Sequence, residues 1–273
     1  MMINVLVLGE IVGRAGIQTL KKLLPEVKKE YAVDYTIANG EGTTNGFGLG
    51  KAHALQLQKI GVNLIMGGEK IFFKQDMVEF LSKTNFILRP ANFPQETPGR
   101  GLKHVQLGDR TFCFINLIGN SELPRISVQN AFSAAKSLMT KLKDDGEIPF
   151  VVFHAVPTAE KATMAHFLST DAAAVIGTHT KVMSADAFII GGRTACISDN
   201  GRVGAKFSVG GFNPGEEIKK FMTGLPLRSQ ESWNGGMLNG VVVSVDTETG
   251  CATKIIPITK ETEIERPAQV NKE

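Results

Sequence analysis

Carboxylates and imidazoles stand just past short apolar runs at several separate places in the chain. Glu10 follows the run at 3–8, Glu41 the run at 35–38, Glu69 the run at 62–66 and His179 the run at 173–176, while His154 ends the run at 150–153. Asp199 and Asn200 follow the run at 194–197. In an open α/β sheet, ligands gather beyond the carboxyl ends of the strands. Carboxylate and imidazole converging from several strand ends make the ligand mixture of a dinuclear hydrolytic metal site. Each residue alone has a plainer role: a glutamate in a solvated loop, a core histidine at 154, a hydrogen-bonded histidine between Thr178 and Thr180. His53, His104 and His166 read as surface or packing residues. The metal reading therefore rests on coincidence at the strand ends.

Two glycine-rich stretches invite a nucleotide-loop reading and fail it. Gly46-Phe47-Gly48-Leu49-Gly50-Lys51 lacks the frame of a phosphate loop and the Ser/Thr that should follow its lysine, and Gly9, Gly13 and Gly16 do not match GxGxxG. Both read as turn-forming glycine.

The elements that must position these groups alternate in type. Residues 3–8 read as a strand, and Ile17, Leu20, Leu24, Val27 and Tyr31 then share one helical face. Pro25 is expected to kink or break that helix. A strand at 35–38, a helix around Ala52, Leu55 and Gln56, a strand at 62–66 and a short helix with Met77, Phe80 and Leu81 inward follow. Residues 102–107 and 111–116 form a hairpin across Gly108-Asp109. Val128, Phe132, Ala135, Leu138, Met139 and Leu142 give the clearest helical stripe. Buried-strand runs at 150–153 and 173–176 flank a helix at 158–168, and Asn213-Pro214 marks a helix start. A strand at 239–245, a turn at 248–250 and a last strand up to 258 close the pattern. This is α/β architecture. It reads as a single domain over 1–260 with a polar, frayed tail at 261–273.

Composition narrows the function classes. With 273 residues and 42% apolar content the chain can bury a large core unaided, and 30 Lys+Arg against 27 Asp+Glu exclude a strongly basic protein. Three scattered cysteines, Cys113, Cys196 and Cys251, with no CxxC, argue against a disulfide framework and a thiolate zinc site, which suits a reducing cytoplasm. No apolar run approaches the roughly 20 residues of a membrane span. Residues 1–8 read as a strand and not a signal peptide, having no basic start and meeting Glu10 at once.

Gly9-Glu10-Ile11-Val12-Gly13, Asn39-Gly40-Glu41-Gly42, Asn45-Gly46-Phe47-Gly48, Arg89-Pro90-Ala91-Asn92-Phe93-Pro94, Thr97-Pro98-Gly99, Phe153-His154-Ala155, Gly177-Thr178-His179-Thr180 and Leu238-Asn239-Gly240-Val241 are collinear with a known pattern. Through them, over residues 3 to 258, the chain resembles the YmdB-like branch of the calcineurin-type metallophosphoesterases. The resemblance implies a four-layer α/β/β/α sandwich, metal-dependent hydrolysis of a phosphodiester in cyclic nucleotides or RNA, and a homo-oligomer.

The resemblance also implies a site altered at several positions. The family's Gly-Asp is Gly9-Glu10 here; Asn-Gly-Glu-Asn is Asn39-Gly40-Glu41-Gly42; Gly-Asn-His is Gly67-Gly68-Glu69; and Thr-His-Thr-His is Thr178-His179-Thr180-Lys181. Only Glu41, His154 and His179 stand unchanged. The expected metal residues are Glu10, Glu41, Glu69, His154 and His179, enough for one divalent ion (Mn, Fe, Zn or Mg) but not two. Lys181, with a reference pKa of about 10.4, arrives charged and stands where a metal's histidine belongs. Glu69 replaces the histidine that should protonate the leaving group, and general acid–base help is worth roughly 10²–10⁴ in rate. The expectation is weak or absent phosphodiesterase activity and a role in binding a phosphate-bearing small molecule, RNA or a partner protein. The alternatives are an active phosphodiesterase with a rearranged one-metal site and a purely structural subunit.

Overall fold

Alternate residues of the first strand face two different cores. β1 (Met2–Ile11) sends Ile3, Val5 and Val7 one way and Leu6 and Leu8 the other, the two-residue period of a strand buried on both faces. The computed structural model describes residues 1–123 and 126–267. After β1 come α1 (Gly13–Glu30), β2 (Tyr35–Asn39), α2 (Lys51–Ile60), β3 (Leu64–Met66), α3 (Gln75–Lys83) and β4 (Ile87–Leu88). The middle of the chain forms β5 (Leu102–Leu107), β6 (Arg110–Ile118), α4 (Ala131–Asp144), β7 (Ile148–His154), α5 (Thr158–Phe167), β8 (Ala174–Thr178), β9 (Phe188–Ile190) and β10 (Thr194–Ile197). β11 (Arg202–Ala205), α6 (Pro214–Thr223), β12 (Gly236–Asp246) and β13 (Cys251–Thr262) follow.

Two sheets result, with strand orders β13-β12-β11-β1-β2-β3-β4 and β5-β6-β7-β8-β10-β9. Ile3, Val5 and Val7 meet Phe112, Phe114 and Phe150 between the sheets, and Tyr35 stacks on Phe114 with ring centroids 4.7 Å apart. Leu6 and Leu8 pack against Leu20, Leu24 and Val27 of α1, Ala54 and Leu57 of α2, and Met77 and Leu81 of α3. The outer face of the second sheet is covered by Ala135, Met139 and Leu142 of α4 and Met164 of α5. Each fully buried Phe, Leu or Met contributes roughly 1.5–3 kcal/mol to holding the layers together. The four-layer α/β/β/α sandwich is thus present. β1, β2 and β3 run parallel, as do β7, β8 and β10, so all six carboxyl ends reach one edge of the sandwich.

Several local expectations need correction. Pro25 does not break α1, which runs through it. Pro25 lies on the exposed side while Leu23, Leu24 and Val27 are buried, so packing holds the helix where one backbone bond is missing. Val128 precedes α4, whose cap is the Asn130 side chain accepting from Ser133 N. Asn213 caps α6 as expected, yet no residue of that helix is buried. The polar tail begins later than residue 261: β12 extends back to Gly236, which pairs with Thr262, and Ile264 is buried. Residues 268–273 of that tail lie outside the described residues. Among the described residues, no helix is long and apolar enough to cross a membrane.

Candidate metal centre

A register shift in β1 between Leu8 and Glu10 delivers the first carboxylate. Gly9 is needed there because a Cβ would lie 2.3 Å from the Gly201 carbonyl oxygen. Glu10 therefore sits inside the strand, not after it, and is buried to 1% exposure. Neither of its oxygens receives a hydrogen bond, and the Lys181 ammonium stands 3.1 Å from Oε1. A Cβ on Gly42 would lie 2.5 Å from that same Oε1. The extra methylene of Glu10 thus fills the space a side chain at 42 would need.

Glu41 has a different task. Its backbone N–H donates to Asn39 Oδ1 at 2.9 Å, and its carboxylate accepts from Gly68 N at 2.5 Å and Lys70 N at 2.6 Å. It anchors the loop after β3. Burial, then the charge of Glu69, pushes its carboxyl up to about 7 against the pull of His154 and Lys70. Gly68 has no room for a side chain, since a Cβ would lie 2.6 Å from His154 Cδ2. The anchored loop brings Glu69 to His154, Oε2 to Nε2, at 2.6 Å, and Oε1 to Lys70 Nζ at 2.8 Å. Burial alone would raise the Glu69 carboxyl, but its bond to His154 and the charges of His154 and Lys70 outweigh it and hold it well below the usual range.

His154 is the hub. Its Nδ1 lies 2.8 Å from Thr178 Oγ1 and its Nε2 3.0 Å from His179 Nδ1. Burial disfavours its charged form, yet the bond to Glu69 and the charges of Glu69, Glu41 and Glu10 raise its pKa. His179 goes the other way, pushed down to about 3 by burial and by His154. The Nε2 proton of His154 thus points at two acceptors, a carboxylate and a neutral imidazole.

The segment carrying His179 and Lys181 is strained, with φ of 112° and 64° at those residues. A buried ion pair holds it. Asp199 Oδ2 accepts from Thr180 N at 2.8 Å and from Lys161 Nζ at 2.9 Å, and Arg202 Nη1 donates to the Lys181 carbonyl at 3.0 Å. Asp199 therefore positions the loop and does not join the metal group, contrary to its placement among the converging carboxylates. Asn200 donates to the Val7 carbonyl at 3.1 Å.

The donor atoms of Glu69, His154 and His179 all lie within 4.8 Å of one another. One carboxylate and two imidazoles suit a single Zn²⁺, Mn²⁺ or Fe²⁺ ion, which would displace the proton they now share. These residues fit one ion. An ammonium stands on Glu10, and the two oxygens of Glu41 face backbone amides. A second trio, His104, Cys113 and Glu147, also lies within 4.8 Å. Its thiol is pushed up to about 12 by burial and stays protonated, which makes it a poor ligand.

Sequence reasoning missed Lys70, Lys161 and Arg202. Lys161 was visible in part, since it lies one turn before the buried Met164 and Ala165 on α5. The glycine loop at 46–51 is a turn, with φ of 77° at Gly46 and 84° at Gly48.

Comparison with known proteins gives consistent matches over nearly the whole chain. The YmdB-like protein family model matches residues 6–258. A 2′,3′-cyclic-nucleotide 2′-phosphodiesterase of Bacillus subtilis is 33% identical over 252 residues, 92% of this chain and 95% of that protein. A crystal structure of a phosphatase from Mycoplasma pneumoniae superposes with a TM-score of 0.90 at 31% identity, covering 96% of this chain and 95% of that one. A structure from Thermus thermophilus gives 0.86 at 27% identity, covering 95% and 99%. The NAD nucleotidase of Haemophilus influenzae shares the fold alone, with a TM-score of 0.60 at 13% identity, covering 96% of this chain and 56% of that one.

Proposed function

The chain belongs to the YmdB-like family of metallophosphoesterases, and from that premise we propose that its centre holds one divalent ion and turns over phosphodiesters weakly or not at all. The carrying observation is the Lys181 ammonium 3.1 Å from the buried Glu10 carboxylate, where a cation of the protein's own already supplies the charge. Glu69, His154 and His179 would hold the ion. Glu10 and Glu41, first expected as ligands, act instead as the partner of Lys181 and the anchor of the loop after β3. A divalent ion here supplies Lewis acidity and lowers the pKa of bound water.

The proton inventory supports slow chemistry. Glu69 is held ionised and His179 neutral near pH 7, so neither donates a proton to a leaving oxygen. His154 is buried, and as a ligand of the ion it would have no proton free for a leaving oxygen. Lys70 and Lys181 each pair with one carboxylate of the centre, and their placement there supports binding of a phosphate-bearing small molecule or RNA. A second reading, an active phosphodiesterase with a rearranged site, is favoured by the 33% identity to the Bacillus subtilis enzyme.

Hydrolysis of a 2′,3′-cyclic nucleotide with Mn²⁺, run beside that relative, separates the two, because its alkoxide leaving group needs a proton. Loss of general acid–base help predicts a rate lower by roughly 10²–10⁴. An equal rate that disappears in His154→Ala would establish the second reading. The same proposal treats residues 1–260 as one domain of a cytoplasmic homo-oligomer, in keeping with three unpaired thiols, and sedimentation velocity tests the assembly.

A further inference from the structure

The loops that follow β1 and β2 also wall a cavity of about 360 Å³. Three guanidinium groups line it: Arg14 in the first turn of α1, Arg228 between α6 and β12, and Arg266 beyond β13. Trp233, the one tryptophan of the chain, belongs to the same wall. The carboxylate there, Glu231, is already engaged, both oxygens accepting the Arg14 backbone N–H at 3.2 Å. Among the described residues, no carboxylate lies within ion-pair distance of any of the three guanidiniums.

The cavity and the centre share their backbone. Gly13 N–H donates to the Gly42 carbonyl at 2.9 Å, next to Glu41, and a Cβ on Gly13 would lie 2.4 Å from the Glu231 carboxyl. Aromatic surface connects them as well. The Lys181 ammonium lies 5.6 Å from the centroid of the Phe212 ring, and that ring is 6.2 Å from Phe47. Asn45, two residues before Phe47, lines the cavity.

Unpaired guanidiniums grip phosphate through paired N–H donors, and an indole stacks on any nucleobase. A volume near 360 Å³ is in the range of roughly 300–1,000 Å³ typical of small-ligand sites. We propose that the Arg14–Arg228–Arg266–Trp233 cavity holds the neighbouring nucleotide of a single-stranded oligonucleotide whose phosphodiester lies at the Glu69–His154–His179 centre. The inference deepens the proposed function and rests on it for the position of the phosphodiester. Binding in the cavity itself requires no metal. A mononucleotide meets one of the two places; a strand meets both.

Trp233 is its own reporter. The full chain, with chelator present, is titrated with a six-nucleotide oligoribonucleotide, with AMP and with inorganic phosphate while tryptophan fluorescence is read. Saturable quenching by the oligonucleotide is expected, with AMP about tenfold weaker or more and phosphate inert. Anisotropy of an end-labelled oligonucleotide should show about tenfold weaker binding for Trp233→Ala and for Arg228→Ala/Arg266→Ala. Arg228 and Arg266 are exposed and Trp233 is half-buried, and circular dichroism checks that the variants fold. Salt should weaken binding with a log–log slope of roughly −2 for three phosphates. The proposal is overturned by oligonucleotide binding no tighter than AMP, by unchanged binding in the variants, or by no binding at all. Loss of the one-metal reading would show in metal content and leave this titration untouched.

Discussion

The two halves of the centre balance their charge in opposite ways. In the half built on β1, a lengthened carboxylate at Glu10 meets a built-in ammonium at 3.1 Å, and Gly42 leaves the space Glu10 fills. In the half built on β7, the donor atoms of Glu69, His154 and His179 gather within 4.8 Å of one another. One half sets a carboxylate against a lysine of the protein's own; the other presents a carboxylate and two imidazoles that could hold a metal ion. Glu10, Gly42 and Lys181 fit one another.

The largest expected effect falls on the first half. Lys181→Met leaves Glu10 buried without its cation, which should cost about 3 kcal/mol or more in denaturant unfolding with chelator present. Adding Glu10→Gln should restore most of it, and a change under about 1 kcal/mol would mean the ammonium is not needed there. Gly42→Asn comes next. Its side chain collides with Glu10 Oε1, so a loss of about 1–3 kcal/mol is expected, relieved by Glu10→Asp. If Glu10→Asp brings no relief, the two positions do not compensate one another.

The smallest effect is a pH dependence of the metal-free protein, and it sharpens the second half. His154 has a raised pKa, so its contribution is present below about 6.5 and lost as pH rises through its folded value. Glu41, raised to about 7, loses its contribution between about 4.5 and 7. His179, lowered to about 3, contributes above about 6.5 and loses that contribution as pH falls toward 3. Glu69, lowered, contributes above about 4.5 and loses its contribution below it. Glu41 and His179 oppose one another between about pH 4.5 and 6.5, where stability should be nearly flat. Above and below that plateau the melting temperature should fall, on the order of 1.4 kcal/mol per pH unit for each proton exchanged. A melting temperature still rising from pH 7 to 8 would place His154 in the neutral form.

Much of this was legible in the sequence. Strand-end placement marked Glu10, Glu41, Glu69, His154 and His179, and the structure brings the donor atoms of Glu69, His154 and His179 within 4.8 Å of one another, because carboxyl ends of parallel strands meet at one edge whatever the helices between them do. The layer order followed from the family resemblance and is carried by apolar runs such as residues 150–153, which read as buried on sight. What stayed hidden were partners far apart in the chain. Nothing local says that Lys161 pairs with Asp199, that Glu41 accepts backbone amides, or that Lys70 faces Glu69. Pro25 was misread because propensity treats it as a breaker, while tertiary burial of Leu23, Leu24 and Val27 overrides that.

Metal content of the purified chain by elemental analysis, after incubation with Mn²⁺ or Zn²⁺, tests the central claim most directly. The account predicts about one equivalent, lost in His179→Ala and kept in Glu10→Gln. Two equivalents, none, or one that survives His179→Ala would contradict it.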